Sequence, residues 1–248
     1  MNKPFFILTT LFFIAHQIFA QASDEEASQV TLEEGKRAYL GFSFGFSIPF
    51  GSFSANNTTT EDANYAKNGR NIHFLDFGYR LNEAVHLGGI YLSTQNEVDN
   101  AKIADYFNAR SDRSHIVESN TYELNAFLLG GGFTKKGQNL DLDMLFLVGV
   151  GNVFLPATTI RQTDGINEFV YLVGADKKTS FGVGIKGGLR IHLNDYFDFT
   201  SHGTFLVFEN EFDQDTNITD INGAPLQLTS TITYQVFNVN FGIAYRFL

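Results

Sequence analysis

An all-β fold, an eight-stranded antiparallel up-and-down barrel spanning a membrane, is predicted by three features of the 248-residue sequence. Eight segments alternate large apolar side chains with small, polar or charged ones. That is the period-two signature of a strand with two different faces. Several of them reach the roughly nine to eleven residues that a tilted membrane strand needs, against about five or six in an average soluble one. The links between them run alternately long and short, as in barrels with tight turns on one side of a membrane and long loops on the other.

Composition supports the class. The chain has 27 Phe, 10 Tyr and 23 Gly, a mixture that favours strands and disfavours long helices. It has no Cys, which excludes a disulfide scaffold, thiol catalysis and Cys-based zinc sites. A net charge of −10 argues against nucleic acid as a partner, because phosphate binding needs clustered Lys and Arg.

Residues 1–22 read as a secretory signal peptide: Lys3 supplies the positive start, Phe5 to Ile14 the apolar core, and Ala20 and Ala22 the small-residue cleavage site. Cleavage is expected after Ala20 or Ala22. It removes one cation and no acid, leaving the mature chain one charge more negative. Residues 23–37 form an acidic periplasmic leader containing Asp24, Glu25, Glu26, Glu33 and Glu34. The barrel is expected over 38–248. No other stretch is apolar over about 20 residues, so a helical span is not expected.

The first strand, 38–50, places Leu40, Phe42, Phe44, Phe46 and Ile48 on one face and Gly41, Ser43, Gly45 and Ser47 on the other. The second, 71–81, sets Leu75, Phe77, Tyr79 and Leu81 against Asp76, Gly78 and Arg80. In the third, 84–94, Val85, Leu87 and Tyr91 oppose His86 and Gly88, while Ile90 and Leu92 interrupt the polar face. The fourth, 119–133, sets Tyr122, Leu124, Ala126 and Leu128 against Thr121, Glu123 and Asn125. In the fifth, 139–154, Leu140, Leu142, Met144, Phe146, Val148 and Val150 oppose Asp141, Asp143, Gly149 and Gly151. The sixth, 179–193, alternates Phe181, Val183, Ile185, Leu189 and Ile191 with Gly182, Gly184, Lys186, Gly188, Arg190 and His192. The seventh, 196–208, sets Phe197, Phe199, Phe205 and Val207 against Asp198, Thr200, His202 and Thr204. The eighth, 231–248, sets Phe237, Val239, Phe241, Ile243, Tyr245 and Phe247 against Asn238, Asn240, Gly242, Ala244 and Arg246.

Asn82-Glu83, 134–138 and Asn194-Asp195 are the short links; 51–70, 95–118, 156–178 and 209–230 are the long, polar ones. In lipid every backbone polar group must be paired internally, so without a spanning helix only a closed barrel remains. Eight strands enclose a space that side chains can fill. Phe and Leu are therefore expected to face lipid, with the Gly-rich polar face lining the interior. Asp76, Glu123, Asp141, Asp143 and Asp198 share that face with Arg80, Lys186, Arg190 and Arg246. Buried charges must be paired, so the expectation is an interlocked lumenal salt-bridge network and no open aqueous pore.

The terminal run Val236-Phe-Asn-Val-Asn-Phe-Gly-Ile-Ala-Tyr-Arg-Phe-Leu248 resembles the last strand of small outer-membrane barrels of the OmpA/OmpX type. With the signal peptide ending Phe-Ala-Gln and the Phe/Asn-rich strands, residues 38–248 resemble the porin-family outer-membrane β-barrel domains of Bacteroidetes-type bacteria. The resemblance implies localisation in the bacterial outer membrane. It also implies that Tyr245, Phe247 and Leu248 serve as the signal for the barrel-insertion machinery. Phe247 is penultimate here, where that class ends in Phe.

Three motif-like runs are read as structural. Gly182-Val-Gly-Ile-Lys-Gly187 matches a dinucleotide fingerprint but lies inside a strand with no helix after it. Asp213-Gln-Asp-Thr-Asn217 resembles the start of a calcium loop, yet Ile218 and Ala224 replace the required Gly and Glu; a solvated acidic loop is expected. His202-Gly-Thr204 resembles the His-x-Ser pair of outer-membrane lipid hydrolases, with Thr for Ser and both side chains directed inward. No His pair has helical zinc spacing, and lumenal hydrogen bonding or loop exposure is expected for His73, His86, His115, His192 and His202. No catalytic residue, cofactor or metal is expected.

The function expected is non-enzymatic: a structural or surface-interaction barrel acting through its outer loops. Its partners would be outer-membrane lipid, the insertion machinery and an extracellular or periplasmic molecule. A narrow-pore solute channel, a lipid-acting enzyme, a subunit of an outer-membrane secretion assembly and a soluble lipocalin-like carrier are the alternatives.

Overall fold

The computed structural model describes residues 36–54, 64–163, 168–219 and 225–247. The segment read as a signal peptide, most of the one read as an acidic leader, and Leu248 lie outside them. The strands in chain order are β1 (Ala38–Pro49), β2 (Ala66–Arg80), β3 (Val85–Val98), β4 (Ser114–Ser119), β5 (Thr121–Lys136), β6 (Leu140–Leu155), β7 (Thr158–Thr163), β8 (Glu168–Val173), β9 (Asp176–His192), β10 (Phe197–Thr219) and β11 (Pro225–Phe247). A 3-10 turn at Gly51–Phe53 and one helix, α1 (Asn100–Asn108), complete the described elements.

Eight of the strands form a ring in the order β11-β1-β2-β3-β5-β6-β9-β10, and β10 pairs with β11 to close it. Every pairing is antiparallel; the β1–β11 seam runs without interruption from Ala38↔Phe247 to Pro49↔Val236. A closed ring leaves no unpaired edge, which is the condition for a sheet to cross hydrocarbon. Three tight links, 81–84, 137–139 and 193–196, lie at one end. Two are built alike: the Asn82 carboxamide oxygen accepts the N–H groups of Ala84 and Val85, and that of Asn194 accepts those of Tyr196 and Phe197. Such Asx turns reverse the chain without glycine.

The outer face is an apolar belt. Phe44, Phe46, Val148 and Phe181 are 62%, 66%, 63% and 83% exposed, and Leu40, Phe42, Leu87, Leu129, Phe146, Val183, Phe241 and Ile243 are also exposed. In water this surface would far exceed the apolar patch that a soluble monomer carries. A closed antiparallel barrel with such a belt, tight turns at one end and long connections at the other is a small outer-membrane β-barrel, and it resides in the bacterial outer membrane.

Three expectations are corrected. The long links are not plain polar loops. β10 and β11 are each 23 residues long and continue as a hairpin well into the stretch 209–230, where a loop was expected. Link 95–118 holds the end of β3, α1 and β4. β4, β7 and β8 form a small sheet, joined to β10 at Thr216↔Val173. Asn217 completes that junction, accepting from the Leu172 N–H and donating to the Val170 carbonyl. The run Asp213–Asn217 accordingly lies within β10 and is not a loop.

The second correction concerns which face meets lipid. In β5 the Tyr122, Leu124, Ala126 and Leu128 side chains are buried inside the barrel, and Phe127, Leu129 and Phe133 are the exposed ones. Ile90 and Leu92 of β3 point inward, on the polar face they were expected to interrupt. The third concerns Glu123. It belongs to the outward parity of β5, where its carboxylate accepts from Gln95 (3.1 Å), whose own carboxamide oxygen accepts from the Arg70 guanidinium (2.7 Å). The row Arg70–Gln95–Glu123 crosses three neighbouring strands in register. Polar groups are cheap there only at the upper edge of the hydrocarbon, so this row marks the outer boundary of the belt on that side.

Candidate functional site

The barrel interior has two chemically distinct halves. The half nearest the tight turns holds charge. Asp76 is paired with the Lys186 ammonium. Arg190 binds Asp143 through two contacts (Nε–Oδ2 2.6 Å, Nη2–Oδ1 3.1 Å) and Asp141 through a third (3.3 Å). Arg80 reaches the same Asp141 oxygen at 3.3 Å. Arg246 lies 2.9 Å from Asp198. Eight of the nine charged residues read as lumenal are therefore brought together; Glu123 is the exception.

Side chains missing from that set tie the pairs into one network. His192 bridges Asp198 (Nδ1, 2.8 Å) and Asp141 (Nε2, 3.4 Å). Thr134 donates to Asp143 (2.7 Å) and contacts His86 Nδ1 (2.9 Å). Tyr39 lies under the Arg190 guanidinium, 4.4 Å from its ring centroid, and its hydroxyl donates to Asp76 at 3.4 Å. Tyr39 was legible by parity, since it shares a face with Gly41 and Ser43. Its ring has room because the facing residue is Gly78, where a Cβ would overlap it.

At mid-depth the interior turns to uncharged polar groups. Asn240 donates to Asn71 (2.6 Å), Asn71 to Thr94 (2.5 Å), Ser47 to Asn96 (3.1 Å) and the Tyr234 hydroxyl to Asn96 (2.8 Å). Beyond them the interior is apolar. Phe53, carried on the 3-10 turn after β1, is fully buried between Tyr234 (centroids 4.3 Å apart) and Tyr122 (5.1 Å). Leu124, Leu155, Leu206, Phe208, Phe212 and Val236 pack in the same cluster. The Tyr122 hydroxyl donates to the Asn64 carbonyl, and the Asp99 N–H to the Tyr65 carbonyl, which fix the chain entering β2 over this cap.

One arrangement could not be read from alternation. His73 and Asp76 are three apart, so regular pleating sends them to opposite faces. A β-bulge at Phe74 shifts the register between His73↔Leu92 and Leu75↔Tyr91, and both side chains then point inward. There they meet His202 of β10, with His73 Nδ1 3.1 Å from His202 Nε2, and with Ser43 Oγ 3.4 Å and Asp76 Oδ2 3.9 Å from the same nitrogen. The fingerprint-like Gly182–Gly187 lies within β9, and the side chains of His202 and Thr204 are buried in the interior.

No family model matches this sequence, and no curated protein does. Solved structures similar in fold are outer-membrane proteins. Neisserial surface protein A is 11% identical, with 85% of this chain and 97% of that one covered at a TM-score of 0.41. A major outer membrane protein from Thermus thermophilus is 13% identical, with 84% and 99% covered at 0.44. The outer membrane protease OmpT from Escherichia coli is 9% identical, with 89% and 100% covered at 0.40.

Proposed function

We propose that this barrel is a non-enzymatic, closed structural or surface-interaction protein whose contacts are made by the elements projecting beyond its outer rim. The observation that carries the reading is the filled interior. The ion-pair network occupies the half near the tight turns, and the Phe53–Tyr234–Tyr122 cap occupies the other. Among the described residues, the packed rings of Phe53, Tyr234 and Tyr122 stand in the way of a continuous water path. The projecting region is built as structure, a three-stranded sheet of β4, β7 and β8 braced on β10. One face of it presents exposed Ile116, Val170 and Leu172 around Arg161, which pairs with Glu118 (4.0 Å) and Glu168 (3.5 Å). Exposed apolar side chains framed by charge are the composition of a contact surface. A lipid-acting enzyme would need its nucleophile and base at the lipid-facing rim; the enclosure of His202 and Thr204 supports a role without catalysis.

The test is conductance. Purified barrel inserted into planar bilayers is expected to give no stable current steps. Reproducible ohmic steps at ordinary salt would overturn the closed-lumen reading in favour of a narrow-pore channel.

A further inference from the structure

The cluster of His73, Asp76 and His202 sets two histidines beside an aspartate that the ion-pair network already holds through Lys186. It exists because the Phe74 bulge breaks regular pairing to turn His73 inward beside Asp76. Bulges re-aim side chains in this way beside functional sites. We propose that His73, His202 and Asp76 form a binding site for a divalent transition-metal ion of the zinc type.

The ligand atoms of the three residues all lie within 4.8 Å of one another. Zinc–ligand bonds of about 2.0–2.1 Å in a tetrahedron place ligand atoms about 3.3–3.4 Å apart. The edges at 3.1 Å (His73 Nδ1–His202 Nε2) and 3.9 Å (His202 Nε2–Asp76 Oδ2) bracket that value. Two imidazoles and one carboxylate with no thiolate select zinc, cobalt or nickel over softer ions. All three side chains are buried, His73 and Asp76 on β2 and His202 on β10. His73 Nε2 is buried with no hydrogen-bond partner, so this ring's polar contacts all lie on the side facing His202. A void bounded by Asp76, His202, Lys186 and Thr200 has room for one water, which supplies a fourth ligand; Ser43 Oγ, 3.4 Å from His202 Nε2, is the protein alternative.

Lys186 sets the affinity. Its ammonium holds the Asp76 oxygen that faces His202, so an arriving dication must displace it and sit beside a like charge. Removing that charge should strengthen binding, an effect opposite in sign to loss of a ligand.

The experiment uses the purified barrel, folded in detergent and dialysed against Co²⁺, with bound metal counted by mass spectrometry and the visible absorption of four-coordinate Co²⁺ recorded. About one Co²⁺ per chain is expected, displaced by Zn²⁺. Lys186→Gln should bind about tenfold tighter or more, while His202→Gln and Asp76→Asn should each weaken binding by at least the roughly 10–100-fold that loss of an outer-shell partner costs. Heat-modifiable gel mobility selects variants that remain folded, and His73→Gln replaces any that does not. Absence of stoichiometric uptake by both the parent and folded Lys186→Gln overturns the proposal. So does uptake that folded ligand variants leave unchanged.

Discussion

Replacing Arg190 with alanine is expected to lower the unfolding free energy by about 3–5 kcal/mol, the cost of leaving buried charge without its partner. Arg190 makes three contacts with the two carboxylates of Asp141 and Asp143, and covers the Tyr39 ring. Its side chain is 8% exposed and that of Asp141 only 3%, so bulk solvent is a poor substitute for the guanidinium. Asp141 would keep Arg80 and His192, but Asp143 would keep only neutral Thr134. The loss belongs to the orphaned carboxylate and not to the pair as such. The double variant Arg190→Met with Asp143→Asn should therefore recover most of it, because exchanging a buried pair for neutral groups is close to neutral. Urea unfolding in lipid vesicles, followed by gel mobility, reads both effects. A loss below about 1 kcal/mol for Arg190→Ala, the range of solvated surface pairs, would show that the network is wet.

The second large effect lies in the opposite half of the interior. Phe208→Ala should cost about 3–5 kcal/mol, the range for deleting a large buried side chain from a site that cannot collapse. The Phe208 ring lies over Gly182 and Gly151, and a Cβ at either glycine would run into it. Both glycines belong to strands locked in the hydrogen-bonded ring, so the backbone cannot move in to fill the space. Gly182→Val alone should also destabilise, by about 1–3 kcal/mol of overpacking. Combined, the two changes supply each other's missing and surplus volume. The double variant should be less destabilised than the sum of the singles, by a coupling within the roughly 0.5–3 kcal/mol seen for residues in contact. Strict additivity would place Phe208 away from Gly182.

These two sites also show what the sequence could carry. In β1, β6 and β9 one face meets lipid and the other a crowded lumen, so apolar and small or charged residues separate by parity, and Arg190, Asp141, Asp143 and Lys186 followed from it. Parity reports that two faces differ, not which one is outside. In β5 the interior is itself apolar. Tyr122, Leu124, Ala126 and Leu128 fill the cap while Glu123 joins a polar row at the outer edge of the belt, so the same alternation pointed the wrong way. The signal for the long β10 was present. Phe208, Asn210, Phe212 and Gln214 are buried and alternate with outward Glu209, Glu211 and Asp213, but acidic, polar composition reads as loop when the lumen's extent is unknown. The Phe74 bulge was beyond reach, because it exists only in the register of β2 against both neighbours. The His73–Asp76–His202 cluster depends on it.

Which side chains touch lipid is the central feature of this barrel. Methyl NOEs in lipid nanodiscs decide this without any substitution, because β6 carries Val148 and Val150 on one face and Leu145 and Leu147 on the other, at nearly the same depth. The Val148 and Val150 methyls are expected to show cross-peaks to acyl-chain methylenes, and those of Leu145 and Leu147 only to protein protons. Acyl-chain cross-peaks on Leu145 and Leu147, with none on the two valines, would contradict the barrel described here.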